Sequence, residues 1–257
     1  MRRFGPVWFG RARRRPPEGV ASSFHLFWEH DEAHVVAAAA TVEVVVPPSV
    51  DELYFWALQV SFRNPARQTG GAHIGLQYHP GYPDRGAVNW GGYDDVVGGT
   101  LEGSVSELPS ALGNPNTRTY HWSAARTYRY LVSRSETGWW RGQVMDTTSG
   151  EVTTIRELNG HDADRLGGLM VWSEVFAPCD APRVAVRWTD LEYTTVDGKH
   201  RSPRSLVVNY QAHSNHGCAN TSSRSDREGV LQETGVERTT AQGVRLPWSP
   251  SQEGLSD

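Results

Sequence analysis

Lysine is nearly absent. Lys199 is the only one, so arginine supplies the other 24 of the chain's 25 basic residues. That bias reads as the mark of a GC-rich genome, not of a binding surface. Charge of one sign is not in excess: the net charge is −4 over 257 residues and the isoelectric point is about 6.2, which excludes the basic footprint of a nucleic-acid partner. No apolar run approaches the ~18 residues of a membrane-spanning helix, so no membrane span is expected. The start, from Met1 to Pro17, is basic and proline-containing and has no apolar signal core. It fits a cytoplasmic chain, a mature form, or a start lying further upstream. Long stretches of helical periodicity and internal repeats are missing as well.

Signature motifs of nucleophilic or nucleotide chemistry are also lacking. There is no Gly-x-Ser-x-Gly, no P-loop and no dinucleotide fingerprint. Gly91-Gly92 and Gly98-Gly99 are not followed by the helix that would make them phosphate cradles.

What the chain does contain points to β-structure. It carries 26 Gly, 15 Pro and 10 Trp, the punctuation and filling of many short strands. Its centre, from Tyr120 to Leu158, reads as a β-meander. Tyr128, Tyr130 and Val132 alternate with Arg129 and Leu131; Trp140, Gly142 and Val144 alternate with Arg141 and Gln143; and Asp146-Thr-Thr-Ser-Gly150 supplies a hairpin turn. A third run, Val152 to Leu158, alternates in the same way.

Further strands are expected at Phe24–Trp28, Leu53–Phe62, Ala72–Tyr78, Leu169–Phe176, Arg183–Tyr193, Leu206–Tyr210 and Val230–Arg238. One at Val35–Val46 contains four alanines that leave a helical turn open. In Leu53–Phe62, Phe55, Ala57 and Gln59 share one face; in Leu169–Phe176, Met170, Trp172, Glu174 and Phe176 do. His79 to Gly99 reads as one long loop. The expected fold is therefore all-β, a single antiparallel β-sandwich of jelly-roll or concanavalin-like type with about ten to twelve strands. It spans 22–248, between a basic flexible tail (1–21) and a polar C-terminal tail (249–257).

The order of Leu53-Tyr-Phe-Trp, Ala72-His-Ile-Gly-Leu-Gln, Tyr128-Arg-Tyr-Leu-Val, Gly138-Trp-Trp-Arg-Gly with Asp146, and Leu169-Met-Val-Trp-Ser-Glu-Val-Phe resembles the bacterial family of unknown function DUF3472 over about residues 24–195. The resemblance implies a lectin-like sandwich, a leaning towards carbohydrate and an extracellular location. It carries no catalytic signature.

Four constellations could carry chemistry. The stretch from Gln77 to Asp95 combines flat aromatics with hydroxyl-bonding side chains, the pairing that sugar sites use. Its candidate ligand-binding residues are Gln77, His79, Tyr82, Asp84, Arg85, Asn89, Trp90 and Tyr93. The matching expectation is a carbohydrate-binding module without catalytic activity.

The alternative is an enzyme acting on a polysaccharide or small hydroxylated molecule, with Glu174 and Asp94 or Asp95 as its acid–base pair. The plain reading of Glu174 is a strand carboxylate bonded to a neighbouring arginine. A third possibility is a structural surface protein with no ligand. Asp94 and Asp95 also form a weak calcium candidate; otherwise no cofactor is expected.

Cys179 and Cys218 would close a 39-position loop as a disulfide, worth roughly 3–4 kcal/mol by chain entropy. That pairing is preferred if the protein is secreted. The other option is a zinc set completed by His213 and His216, although the spacing departs from paired knuckles. Asn220-Thr-Ser222 matches a glycosylation sequon.

Overall fold

The computed structural model describes residues 21–31 and 34–248. The expected tails, 1–21 and 249–257, lie outside the described residues except for Ala21. The described residues form sixteen antiparallel strands, more than the ten to twelve expected, because several are only two to five residues long. No helix among the described residues is long and apolar enough to cross a membrane.

Hydrogen bonding links all sixteen, yet they form two leaves joined by a single residue pair, Leu166–Val35. The first leaf runs in the order β16 (Arg245–Pro247), β13 (Ser205–Tyr210), β1 (Ser22–Glu29), β10 (Arg165–Val175), β3 (Tyr54–Arg63), β4 (Gln68–Tyr78), β5 (Gly86–Asp94) and β6 (Thr117–Thr119). The second runs β14 (Thr221–Ser225), β15 (Val230–Thr234), β11 (Val184–Thr195), β2 (Val35–Val46), β7 (Thr127–Arg134), β8 (Trp140–Asp146) and β9 (Val152–Leu158), with β12 (His200–Arg201) also on β11.

Alternation decides which side chains enter the core. Trp56, Leu58, Val60 and Phe62 of β3, Ile74 and Leu76 of β4, and Trp90 of β5 face Tyr130, Val132, Trp140 and Val144 of the second leaf. Contacts of two kinds help fasten the leaves. The Tyr130 hydroxyl donates to the Trp56 carbonyl (3.1 Å) and accepts the Leu76 N–H (2.9 Å). The Phe62 and Trp140 rings stack at 5.3 Å. Gly142 is required beneath Trp90, since a Cβ there would sit 2.6 Å from the indole Cγ.

The meander forms as read. Its third strand departs from simple alternation, because a bulge opposite Gly142 and Gln143 lets both Ile155 and Arg156 turn inward. The alanines of β2 are strand residues, paired with both β7 and β11, where their small side chains allow close approach. The expected loop from His79 to Gly99 is corrected: β5 occupies its middle. A run of Asn, Trp and two Gly has the composition of a loop, but β4 and β6 pair it on both sides.

Cys179 and Cys218 form a disulfide. With both sulfurs so bound, the zinc set is excluded. His213 Nδ1 lies against the Gly217 carbonyl instead, and the Asn220 side chain donates to the Cys179 carbonyl.

Candidate functional site

The stretch expected to bind a ligand does not assemble into a site. Trp90 is wholly buried between the leaves, and Tyr82 is 4% exposed with its hydroxyl directed to the Thr117 carbonyl. Gln77 and Asn89 are each 6% exposed, and Asn89 donates to the Thr117 hydroxyl at 2.8 Å.

The remaining candidates disperse. His79 packs edge-on against Tyr82, Asp84 lies 3.5 Å from His121, and Arg85 pairs with Asp51 at 2.6 Å. Tyr93 lies at the far end of β5, its ring over Gly71 and its hydroxyl bonded by Gln68.

Asp94 is a structural carboxylate. One oxygen caps the backbone N–H groups of Val96 and Val97, and the other meets His161 Nε2 at 2.7 Å. Burial alone would push its pKa up, but these hydrogen bonds and the imidazole hold it below the usual carboxylate range. No group of three His, Cys, Asp or Glu that could hold a metal ion is found among the described residues. Asp95 bonds the Gln68 amide.

Neither aspartate reaches Glu174. Glu174 pairs with Phe55 on β3, whereas Asp94 lies on the row that passes through Gly70 to Phe62. Phe55 and Phe62 are at opposite ends of β3, roughly 23 Å apart at about 3.3 Å per residue.

What the fold does bring together lies on the outer face of the first leaf, the side of β1, β10, β3 and β4 turned away from the core. Alternation places His25 and Phe27, Met170, Trp172 and Glu174, Phe55, Ala57 and Gln59, and His73 on that face. Phe55, Trp172 and His73 form a closed triangle of rings, with centroids 4.9, 5.6 and 5.5 Å apart and every pair edge-to-face. Gln59 Oε1 accepts the Trp172 indole N–H at 3.0 Å and fixes that ring. His25 packs on Trp172 from the other side, at 6.2 Å.

Glu174 stands at the rim of this aromatic tablet. The expected arginine partner is not there: among the described residues no hydrogen bond or ion pair reaches its carboxylate. Burial among the rings therefore pushes its pKa up unopposed. His25 is paired with Trp172 across the β1–β10 ladder, two residues from Glu174's row. This makes the two diagonal neighbours on one face, about 7–8 Å between their backbones and within reach of each other's side chains.

Burial lowers the pKa of His25, partly offset by Asn209 opposite, and its Nδ1 is buried without a hydrogen-bond partner. Burial likewise pushes His73 down, to about 4. The face thus carries one acid inclined to stay protonated and two imidazoles inclined to stay neutral. Glu174 was visible in the sequence. His25 was not singled out, although its position between Phe24, Leu26 and Trp28 in a short strand places it on the face opposite the core.

No protein-family model and no curated protein matches the chain. Among solved structures, scytalidoglutamic peptidase with a peptide-based transition-state analogue is similar at TM-score 0.45 and 12% identity, over 83% of this chain and 97% of that one. The same enzyme with another transition-state analogue gives 0.42 and 13% over 83% and 97%. SCP-B, a member of the eqolisin family of peptidases in complex with the tripeptide Ala-Ile-His, gives 0.42 and 12% over 83% and 96%. The likeness goes no further than overall strand arrangement.

The expectation of a non-catalytic, lectin-like carbohydrate module is corrected. Of the aromatics assigned to sugar, Trp90 and Tyr82 are buried, and Tyr93 is an exposed residue at the far end of β5, apart from both.

Proposed function

We propose that the protein is an acid–base hydrolase whose reaction centre is Glu174, with His25 beside it in place of the loop aspartate. The observation that carries this reading is an unpaired carboxyl on an aromatic face, its pKa raised by burial, with a neutral imidazole as diagonal neighbour. Once ionised, a carboxylate of raised pKa can take a proton from an attacking water and, as the carboxylic acid so formed, return it to the departing group, which needs a pKa near the working pH. His25, kept neutral, can hold the water through one ring nitrogen.

The surroundings favour a polypeptide over a sugar as substrate. The face offers ring surface to apolar side chains, and the side-chain carbonyl of Gln59 there is already committed to Trp172.

The test is incubation with unfolded protein and with soluble polysaccharides from pH 3 to 8, scoring new amino groups and reducing ends. New amino groups are expected, at a rate that rises with pH as Glu174, whose pKa burial raises, loses its proton. Glu174→Gln should lower that rate by about 10²–10⁴-fold. Hydrolysis of either substrate class that survives this substitution unchanged would exclude Glu174 as the reacting group.

A further inference from the structure

A groove of about 610 Å³ is lined by residues other than those of the Glu174 face. It separates β6, the last strand of the first leaf, from the β8–β9 hairpin, the last of the second. Its wall is aromatic: Tyr120, Trp122 and Tyr128 all line it. The Trp122 indole is anchored by its N–H on the Gln77 carbonyl at 2.9 Å and packs edge-on to Trp56 at 5.6 Å. Tyr128 is held through its hydroxyl, which accepts the Ser123 N–H. The wall is therefore preformed.

The charges around it are unequal. Arg126, its one permanently cationic lining residue, is bound to Asp146 at 2.5 Å, and Asp146 is further occupied by the backbone N–H groups of Thr148 and Ser149. That cluster is internally neutral and holds the hairpin turn. His121 faces Asp84 on the outer rim.

Glu151 remains. It is exposed at the mouth and forms no ion pair among the described residues; the one guanidinium whose field reaches it, Arg126, is already bound to Asp146. Burial chiefly pushes Tyr120 up to about 12, so the phenol is neutral, and with Arg126 and Asp146 cancelling, the net negative charge of the groove is that of Glu151.

From the aromatic wall and the unpaired carboxylate of Glu151, we infer that this groove binds an organic group bearing one positive charge, an alkylguanidinium or alkylammonium. Ring faces attract such a cation through their quadrupole, and a lone carboxylate at the mouth supplies the counter-charge. The site is independent of the Glu174 face.

The experiment is a ¹⁵N-edited titration of the full chain with ethylguanidinium, and with N-ethylurea as a neutral probe of the same shape. Ethylguanidinium should give saturable shifts of the Trp122 indole N–H and of backbone amides in 119–128 and 146–153. N-ethylurea should give none. Glu151→Gln, at an exposed position where the fold is not at stake, should weaken binding about threefold to fivefold; Tyr120→Leu should weaken it as well.

N-acetylarginine amide is the third probe. Tighter binding than ethylguanidinium assigns the cation to a polypeptide side chain, and equal binding assigns it to a free small molecule; both support the site. Equal binding of the urea, shifts that do not saturate, or an unchanged affinity in Glu151→Gln would overturn it.

Discussion

At the scale of the residue, three buried or half-buried ionisable groups on one sheet face set how the protein responds to acid. His73 is the clearest. Its pKa falls to about 4 in the fold, against 6.5 for an exposed imidazole, because rings enclose it and nothing stabilises the imidazolium. Above pH 6.5 it is neutral in both folded and unfolded chains and has no effect on stability's pH dependence. Between 6.5 and about 4 the unfolded chain takes up a proton that the folded chain refuses, so stability is lost as pH falls through that window. His25 acts in the same sense. Glu174 acts in the opposite one: its folded value is raised, so its contribution is fully present below 4.5 and is lost as pH rises through the folded value. Replacing His73 with Leu should flatten the fall in unfolding free energy between pH 6.5 and 4, measured by urea melts across that range. An unaltered slope would show that His73 is not the group responsible.

The same residues show what one sequence discloses. Glu174 could be placed on a face with Trp172, and Phe55 with Gln59, because alternation is a property of a single strand. That these two faces are the same face depends on β10 lying beside β3 in a given register, and nothing in either strand's own residues states it. Trp90 failed for the converse reason. Its neighbours Asn89, Gly91 and Gly92 are turn-formers by composition, yet the glycines are there because adjoining backbone and the Asn116 side chain approach too closely for a Cβ.

At the scale of the element, the meander β7–β8–β9 was legible because its three strands are consecutive and their turns are local. β8 also shows how closely the leaves pack. Gly142 sits under the Trp90 indole, and its place in an otherwise regular strand is explained by that ring alone. A methyl group there must displace the indole from a core with no spare volume. Gly142→Ala is expected to cost about 1–3 kcal/mol in chemical denaturation. Gly150→Ala on the same hairpin, where φ is +74° but space is open, tests backbone strain by itself. Were Gly142→Ala neutral, the Trp90 contact would not be tight.

At the scale of the whole molecule, the disulfide ties the loop after β10 to the segment before β14. That segment is also bound to the start of β1, where the Cys218 N–H donates to the Ser22 hydroxyl, and to Arg238, which donates to the Cys218 carbonyl. Three distant parts of the chain therefore meet at one cross-link. Replacing both cysteines with serine should lower unfolding free energy by about 3–4 kcal/mol, seen calorimetrically as a drop in Tm of roughly 10 °C. A shift within a degree or two would show that the packing around the bridge holds this corner without it.

The two leaves share only the Leu166–Val35 pair, and the chain passes repeatedly between them. β1, the first strand described, has no neighbour close to it in sequence: Phe24 lies between Ser173 and Tyr210. Between emerging from the ribosome and finding its place, β1 must wait for about 150 to 190 further residues, most of a minute at the slower end of about 5–20 residues per second. Through that interval its Phe24, Leu26 and Trp28 have nothing of their own fold to cover them. The first leaf cannot close until nearly the whole chain exists, which puts the protein among slow, non-locally wired folders and makes its earliest strand the one most in need of shelter during synthesis.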